Sequence, residues 1–322
     1  MSKLIEEFEI FILTYNRAEM LKTAIESCLE QSIAGISITI LDNASTDHTA
    51  KIVSAFNNPN VHYCPSPTNI GGYGNFLRSQ ELCTKEYVLI FHDDDQLHPK
   101  YVESAYHYLE KYPDTNLVAS NSLTIPAQSK PNHSTALSQS IQKLDRTHFA
   151  ASLYVKNKIA FCSAVYRKKA LKSLDFNGLE KQFGKWGDRP ILIEAVGSGS
   201  AIVFTGAYVF TGRHEAQDTH QAKTQPPHTI WLNREKFFKD ILGDNTFSYP
   251  GLCFCIMNHR RLKSGFKRRI AKGIDFETYM NDAFSMSAAS KKSWKMAWLT
   301  PRIVQNIFNY YSKRHLEKHF SV

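Results

Sequence analysis

Residues 87–99, Tyr-Val-Leu-Ile-Phe-His-Asp-Asp-Asp-Gln-Leu-His-Pro, predict the fold class of the chain. The five apolar or aromatic residues that open this stretch are typical of a strand buried on both faces, as in a parallel sheet covered by helices. The strand stops at three adjacent carboxylates, Asp93, Asp94 and Asp95. The next helix is indicated by Pro99 at its first position and by an apolar stripe at helical spacing. Ligands bind at the carboxyl edge of open α/β sheets, so we expect these carboxylates to face a binding crevice.

Three carboxylates this close repel one another unless a cation lies between them. A hard divalent ion with oxygen ligands, Mg²⁺ or Mn²⁺, suits such a group and completes its coordination with water and substrate phosphate. The alternative is a solvated acidic loop whose aspartates cap the next helix. The triplet by itself leaves both interpretations open.

The composition predicts a soluble globular protein. The chain has 322 residues, 43% of them hydrophobic and 21% charged, enough for one large domain or for a domain with an extension. No run approaches the ~18 apolar residues of a membrane-spanning helix, and the N-terminus lacks the order of a signal peptide. The six cysteines show no metal-ligand spacing, which favours free thiols in a reducing compartment. We therefore expect a cytoplasmic protein.

The net charge of +9 is concentrated at the C-terminal end. From Arg260 onward there are 14 basic residues against 4 acidic ones, a net charge of +10. A basic face of this kind meets nucleic acid, anionic lipid or a polyanionic substrate. The sequence contains no recognisable nucleic-acid reading motif, so we predict no nucleic-acid partner.

Strands and helices alternate over the first hundred residues. Apolar runs at 8–13, 36–41, 61–64 and 87–91 are each followed by polar residues and then by a helical stripe. This order predicts βα units and a mainly parallel sheet, in which the polar ends of the strands meet at one edge.

The later part of the chain is less regular. Residues 124–146 are rich in Ser, Gln, Pro and Asn and predict a flexible flap or loop, while 201–204 and 208–210 indicate a closing hairpin or strand pair. Past residue 230 the pattern is helical and basic. We predict one domain over 1–225 and a helical basic extension over 226–322.

Four short motifs at consecutive strand ends carry a family resemblance. They are Thr14-Tyr15-Asn16-Arg17, Asp42-Asn43-Ala44-Ser45-Thr46-Asp47, Asn69-Ile70-Gly71-Gly72, and His92-Asp93-Asp94-Asp95 with Pro99 beyond it. In this order they resemble the GT-A nucleotide-diphospho-sugar glycosyltransferases, in particular the inverting family two group, over roughly residues 8–215. The resemblance implies an α/β fold of the GT-A (Rossmann-like) type, with a mainly parallel sheet flanked by helices and a helical basic C-terminal extension.

The resemblance also implies a nucleotide site. Tyr15 and Arg17 would border the base and the ribose, and Asp42 would accept a hydrogen bond from the base. The loop from Asn69 would let the backbone approach the nucleotide closely. The full set of implied nucleotide-binding residues is Thr14, Tyr15, Arg17, Asp42, Asn69, Gly71, Gly72, Arg78 and Asp93.

The metal and the catalytic base follow from the same resemblance. The implied ligands of Mn²⁺ or Mg²⁺ are Asp93, Asp94, Asp95 and His214; the spacing to Pro99 makes Asp94 the principal ligand, whereas a literal DxD motif gives Asp93 and Asp95. Asp93 would face the ribose or a metal-bound water. Asp188 is the implied base that deprotonates the acceptor, and it follows Gly187 where the family usually has Glu. An aspartate two residues before Pro190 is also a normal helix cap.

The resemblance implies transfer of a single sugar from a nucleotide diphosphate, UDP by the habit of the family, to a glycan or lipid-linked acceptor in bacterial surface polysaccharide synthesis. The basic C-terminal region could then hold the protein as a peripheral protein on the anionic inner face of the cytoplasmic membrane. Two alternatives remain open, a non-catalytic nucleotide-sugar-binding scaffold and a sugar-1-phosphate nucleotidyltransferase. The second would need a Gly-rich basic loop after the first strand, which residues 14–19 lack.

Overall fold

The computed structural model describes residues 2–133, 140–155, 159–215 and 228–242. These fall into two compact units, of which the first holds residues 2–146 and 159–215. The second holds described residues 147–155 and 228–242. The predicted boundary between residues 225 and 226 stays a prediction.

The described strands are β1 Phe8–Thr14, β2 Ser37–Asp42, β3 Val61–Pro65, β4 Tyr87–His92, β5 Asp95–Leu97, β6 Thr115–Pro126, β7 Ile141–Asp145, β8 Val165–Arg167 and β9 Ser200–Arg213. The described helices are α1 Ser2–Glu7, α2 Ala18–Leu29, α3 Thr49–Ala55, α4 Gly71–Leu82, α5 Tyr101–Lys111, α6 Arg146–Val155, α7 Lys168–Lys172, α8 Phe176–Phe183, α9 Asp188–Val196 and α10 His228–Leu242. Short 3₁₀ turns cover Phe161–Ser163 and Gly184–Trp186.

The strands form one sheet in the order β3-β2-β1-β4-β8-β6-β9-β5, with β7 paired to β9. The four N-terminal strands β3, β2, β1 and β4 pair in parallel, as the alternation of strands and helices predicts. β8 is antiparallel to both β4 and β6, and β6 is parallel to β9. The predicted α/β fold class is confirmed.

β4 lies inside the core, and its burial fixes where the acidic triplet emerges. All five residues from Tyr87 to Phe91 are at most 2% exposed. The sheet face is covered by apolar residues of α2 and α5, among them Leu21, Ile25, Val102 and Leu109. Because β1, β2 and β4 run in parallel, Thr14, Asp42 and His92 all lie at the carboxyl edge of the sheet.

Three local predictions were wrong. The expected hairpin at 201–210 is one continuous strand, β9, whose register with β6 shifts between Ser120 and Asn121. The expected flap is partly strand, since β6 runs to Pro126 and β7 begins at Ile141; residues 134–139 lie outside the described ranges. The helix after the triplet begins at Tyr101, two residues beyond Pro99.

Most of the predicted basic extension, residues 243–322, lies outside the described part of the chain. Within the described ranges, no helix has both the length and the apolar character needed to span a bilayer. Four cysteines, Cys28, Cys64, Cys83 and Cys162, are described and are free thiols, as expected.

Candidate active site

Arg17 and Thr14 hold the first aspartate of the triplet. The Thr14 hydroxyl donates to Oδ2 of Asp93 at 2.7 Å, and Nη1 of Arg17 donates to Oδ1 at 3.1 Å. Asp93 is 2% exposed; burial raises its pKa, and the charge of Arg17 opposes that shift. The loop after β1 is thereby tied to the loop after β4.

The end of β2 carries a second fixed carboxylate. Oδ1 of Asp42 accepts from the backbone N–H of Ser45 at 3.0 Å and also from its hydroxyl, while Oδ2 accepts from the Tyr63 hydroxyl. Asp42 is 1% exposed, whereas Tyr63 on β3 is 37% exposed. Tyr63 was not among the predicted residues, because a tyrosine in a half-exposed strand gives no functional signal by itself.

Asparagine side chains shape the loop before α4. Nδ2 of Asn43 donates to Oδ1 of Asn69 at 2.9 Å, and Oδ1 of Asn43 accepts from the N–H of Ile70 at 2.9 Å. The N–H of Gly71 donates to Asn69 Oδ1, and Gly71 has a positive φ of 76°. Glycine adopts this conformation without strain, so the turn into α4 can pass close to a ligand.

Arg78 bonds to the protein itself. Its guanidinium donates to the carbonyl oxygens of Asp42 and Cys64 at 3.2 and 2.9 Å, and to Oδ1 of Asn75 at 2.9 Å. These contacts join the ends of β2 and β3 to α4. Its predicted part in nucleotide binding stays a prediction.

Asp94 meets the predicted histidine from the end of β9. Nε2 of His214 lies 2.9 Å from Oδ2 of Asp94, and Nη1 of Arg17 lies 3.8 Å from the same oxygen. Nδ1 of His214 is buried and makes no hydrogen bond to the described residues. A Cβ on Gly212 would overlap the carbonyl oxygen of Asp94, so glycine there permits the close approach of the two segments. A carboxylate oxygen and an imidazole nitrogen together fit part of the coordination shell of Mn²⁺.

The Asp95 side chain belongs to a different cluster of possible metal ligands. His92, Asp95 and Cys162 offer ligand atoms that all lie within 4.8 Å of one another, and Asp95 Oδ1 also accepts from the N–H of Gly212 at 3.0 Å. Burial and the charge of Asp94 raise the pKa of Asp95 to about 6. Burial and the charge of Asp95 raise the pKa of the Cys162 thiol well above its usual range. A neutral thiol is a poor ligand for a hard cation, so Asp94 and His214 suit Mn²⁺ or Mg²⁺ better than this group does.

A cavity of about 430 Å³ opens at this edge of the sheet. Its volume lies in the range of small-molecule sites. Predicted residues that line it are Thr14, Tyr15, Arg17, Asn69, Gly71, Gly72, Asp93 and Asp188. The cavity therefore brings together predicted residues from four separate segments of the chain.

Asp188 enters the cavity from the first turn of α9. Lys185, from the 3₁₀ turn before it, lines the same cavity, and its Nζ lies 4.9 Å from the centroid of the Trp186 ring. The aromatic wall is built by Tyr73, Phe76 and Phe161. The three aromatic residues were not predicted as site residues, because an apolar residue in a periodic segment or an apolar run indicates core packing as readily as a site.

Solved structures share this fold. The chain is similar to S. aureus TarS in complex with UDP-GlcNAc, with a TM-score of 0.59 and 14% identity over 90% of this chain and 79% of that one. It is similar to the structure of TarS residues 1–349, with a TM-score of 0.55 and 13% identity over 84% and 93% of the two chains. The fold is that of the GT-A glycosyltransferases.

The family model described as glycosyl transferase family 2 matches residues 9–174, about half of the chain. The chain belongs to glycosyl transferase family 2, as the four strand-end motifs predict.

One curated relative is also similar. The abequosyltransferase RfbV of Salmonella typhimurium is 36% identical over 111 residues. The match covers 33% of this chain and 33% of that protein, so the chain spans about a third of the length of the relative it matches.

Proposed function

We propose that the chain is an inverting glycosyltransferase that moves a single sugar from a nucleotide diphosphate donor to a hydroxyl group of a glycan or lipid-linked acceptor. One observation carries the proposal: a single cavity brings the Arg17–Asp93 pair and the Asp188 carboxylate together at the carboxyl edge of the sheet. Similar structures of TarS contain UDP-GlcNAc or UDP, which supports a UDP donor. The resemblance to an abequosyltransferase supports a role in bacterial surface polysaccharide synthesis.

The nucleotide lies against the ends of β1, β2 and β3. Tyr15, 43% exposed, borders the base, and Arg17 borders the ribose and the diphosphate. Asp42 accepts a hydrogen bond from the base beside Tyr63, because each carboxylate oxygen can accept more than one. The backbone of Asn69 to Gly72 closes over the nucleotide.

Asp94 and His214, whose Oδ2 and Nε2 atoms lie 2.9 Å apart, would hold a divalent cation, Mn²⁺ or Mg²⁺. Such an ion would supply Lewis-acid chemistry, a positive charge that stabilises the departing diphosphate. Asp93, held by Thr14 and Arg17, would face the ribose or a metal-bound water. Asp95 supports this edge of the sheet through its bond to the N–H of Gly212.

Asp188 acts as the general base. The acceptor hydroxyl gives its proton to the Asp188 carboxylate while its oxygen bonds to the anomeric carbon of the donor. The bond between that carbon and the diphosphate oxygen breaks in the same step, and the nucleoside diphosphate leaves with the electron pair. A single displacement on the opposite face inverts the anomeric configuration.

The cytoplasm supplies nucleotide sugars, so we place the protein there. The basic residues after Arg260 hold it on the anionic membrane surface where lipid-linked acceptors lie. This part of the proposal rests on sequence alone, since those residues lie outside the described ranges.

A thermal-shift screen tests the proposal. The full chain is heated with UDP-, CDP-, dTDP- and GDP-hexoses, each with and without Mn²⁺. A ligand that binds only the folded state raises the melting temperature, so we expect a UDP-sugar to raise it more with Mn²⁺ than without. The best binder is then assayed for transfer to lipid-linked glycan extracts. No stabilisation by any member would contradict the proposal, and binding without transfer or hydrolysis would favour a scaffold.

A further inference from the structure

The Tyr73 side chain lines the cavity and carries a buried, unpaired hydroxyl group. Tyr73 lies in the first turn of α4, and its ring packs edge-on against Phe176, with ring centroids 6.5 Å apart. The hydroxyl oxygen is buried and makes no hydrogen bond to the described residues. A buried hydroxyl without a partner costs free energy and needs an explanation, such as a ligand that supplies the partner.

Gly187 lies directly against this hydroxyl group. Its φ of −77° is accessible to every residue, so the backbone conformation does not require glycine. A Cβ at this position would overlap the Tyr73 hydroxyl oxygen and lie 3.3 Å from the carbonyl oxygen of Gly184. The glycine therefore leaves the space that the phenol occupies.

The surroundings of the hydroxyl suit a sugar ring. Asp188 follows Gly187 and lines the same cavity; burial, and then the charge of Asp188, raises the pKa of Tyr73, so that its hydroxyl stays protonated. Phe76 and Phe161 stack with ring centroids 5.3 Å apart, and both line the same cavity as Tyr73. A pyranose has apolar C–H faces that pack on aromatic rings and hydroxyl groups that need donors and acceptors.

We propose that Tyr73 is a sugar-binding residue, whose hydroxyl donates a hydrogen bond to a hydroxyl oxygen of the donor's pyranose ring, with Gly187 leaving room for it. The inference rests on the proposed function, since it requires a nucleotide sugar donor. Tyr73 follows Gly71 and Gly72, which line the cavity and belong to the proposed nucleotide loop, and its hydroxyl lies against Gly187, next to the proposed base. The donor's sugar is the part of the substrate that lies between these two points.

The first test compares Tyr73→Phe with the wild type by calorimetry. The probe is the hexose nucleotide that the wild type binds most tightly relative to its own nucleoside diphosphate, chosen from UDP-, CDP-, dTDP- and GDP-hexoses. Loss of one neutral hydrogen bond should weaken binding of the nucleotide sugar about tenfold and leave binding of the diphosphate unchanged. Tyr106→Phe, whose hydroxyl bonds to Glu7, is the matched control and should change neither affinity.

The second test is a double-mutant cycle. Gly187→Ala should weaken binding of the nucleotide sugar in the wild type, because the new methyl group displaces the Tyr73 hydroxyl. The same change should cost much less in Tyr73→Phe, where that oxygen is absent. If Gly187→Ala lowers the affinity for the nucleotide sugar equally in the wild type and in Tyr73→Phe, the proposed steric role of Gly187 is overturned.

The outcomes separate this inference from the proposed function. A wild type that binds no nucleotide sugar overturns the proposed function and the role of Tyr73 with it. If the wild type binds a nucleotide sugar more tightly than its diphosphate, and Tyr73→Phe binds it equally well, only the role of Tyr73 is overturned. The role of Tyr73 is also overturned if Tyr73→Phe weakens binding of the nucleoside diphosphate as much as binding of the nucleotide sugar. It is overturned as well if the wild type binds no nucleotide sugar of the panel more tightly than its diphosphate.

Discussion

Arg17 pairs with Asp93 across 76 residues of sequence, with Nη1 of the guanidinium 3.1 Å from Oδ1 of the carboxylate. The Asp93 side chain is 3% exposed and that of Arg17 is 23% exposed. The pair joins the loop after β1 to the loop after β4, and it places a positive charge at the mouth of the acidic triplet.

Arg17→Leu should destabilise the protein by about 3 kcal/mol at pH 7.5, because it leaves the buried Asp93 carboxylate without its cation. Arg17→Lys keeps the charge and should cost less. The difference between the two variants should shrink as the pH falls, since the loss of Arg17 raises the pKa of Asp93 further and protonation then removes the buried charge. Urea unfolding at several pH values measures this, and equal stability of the two variants would contradict it.

Gly212→Ala should destabilise the protein by about 2 kcal/mol or more, since its Cβ would overlap the Asp94 carbonyl oxygen. The displacement should also separate Asp94 from His214 and reduce the thermal shift given by Mn²⁺. Gly72→Ala is the control for stability, because a Cβ there has nothing within 4 Å. An alanine at 212 that is tolerated as well as one at 72 would show that the two segments do not need this close approach.

Asp188→Asn should lower kcat for transfer by about 10²- to 10⁴-fold, the range that general bases contribute. The thermal shift given by UDP and Mn²⁺ should remain, because the base does not hold the nucleotide. Glu194→Gln on the same helix, which removes the charge that pairs with Arg146, is the matched control and should keep a normal kcat. A normal kcat in Asp188→Asn would require another base.

His98 should make the fold less stable in mild acid. It is 3% exposed, and its Nδ1 accepts a hydrogen bond from the N–H of Lys100 at 3.1 Å. Burial, and then the nearby charge of His133, lowers the pKa of His98, so the unfolded chain takes up the proton first as the pH falls. Stability should therefore drop below about pH 6.5, by at most about 1.4 kcal/mol per pH unit from this residue.

His98→Asn tests this, because its amide oxygen can still accept from Lys100. Urea unfolding at pH 7.5 and 5.5 should show a smaller drop for His98→Asn than for the wild type. The exposed His107 is the control, and His107→Asn should show the same drop as the wild type. If all three proteins lose the same stability between the two pH values, His98 is not responsible.

The parallel half of the sheet could be predicted because burial of β4 on both faces leaves a plain apolar run in the sequence. The continuity of β9 could not be predicted from the sequence. Thr205 and Gly206 interrupt its apolar pattern, and the irregular register opposite Ser120 and Asn121 that absorbs them is a property of the paired strands.

The candidate site, like the sheet, could be predicted only in part. Two strand-end motifs pointed to Arg17 and Asp93, and the family resemblance pointed to Asp188 at the start of a helix; the cavity brings the three together. The choice of Asp94 as the neighbour of His214 depends on how β5 and β9 pair, which spacing along the chain does not encode. The fit of Tyr73 to Gly187 is likewise a contact between α4 and the residue that precedes α9, which are far apart in the sequence.

A crystal of the protein soaked with MnCl₂ and UDP gives the most direct test of the central claim. We expect a manganese anomalous peak within about 2.5 Å of Asp94 Oδ2 and His214 Nε2, with the diphosphate bound to the same ion and Arg17 beside it. The peak should be absent from crystals of Asp94→Asn. Two results in the wild-type crystal would contradict the account. UDP could be bound elsewhere, or Asp94 and His214 could still contact each other with no manganese bound to them.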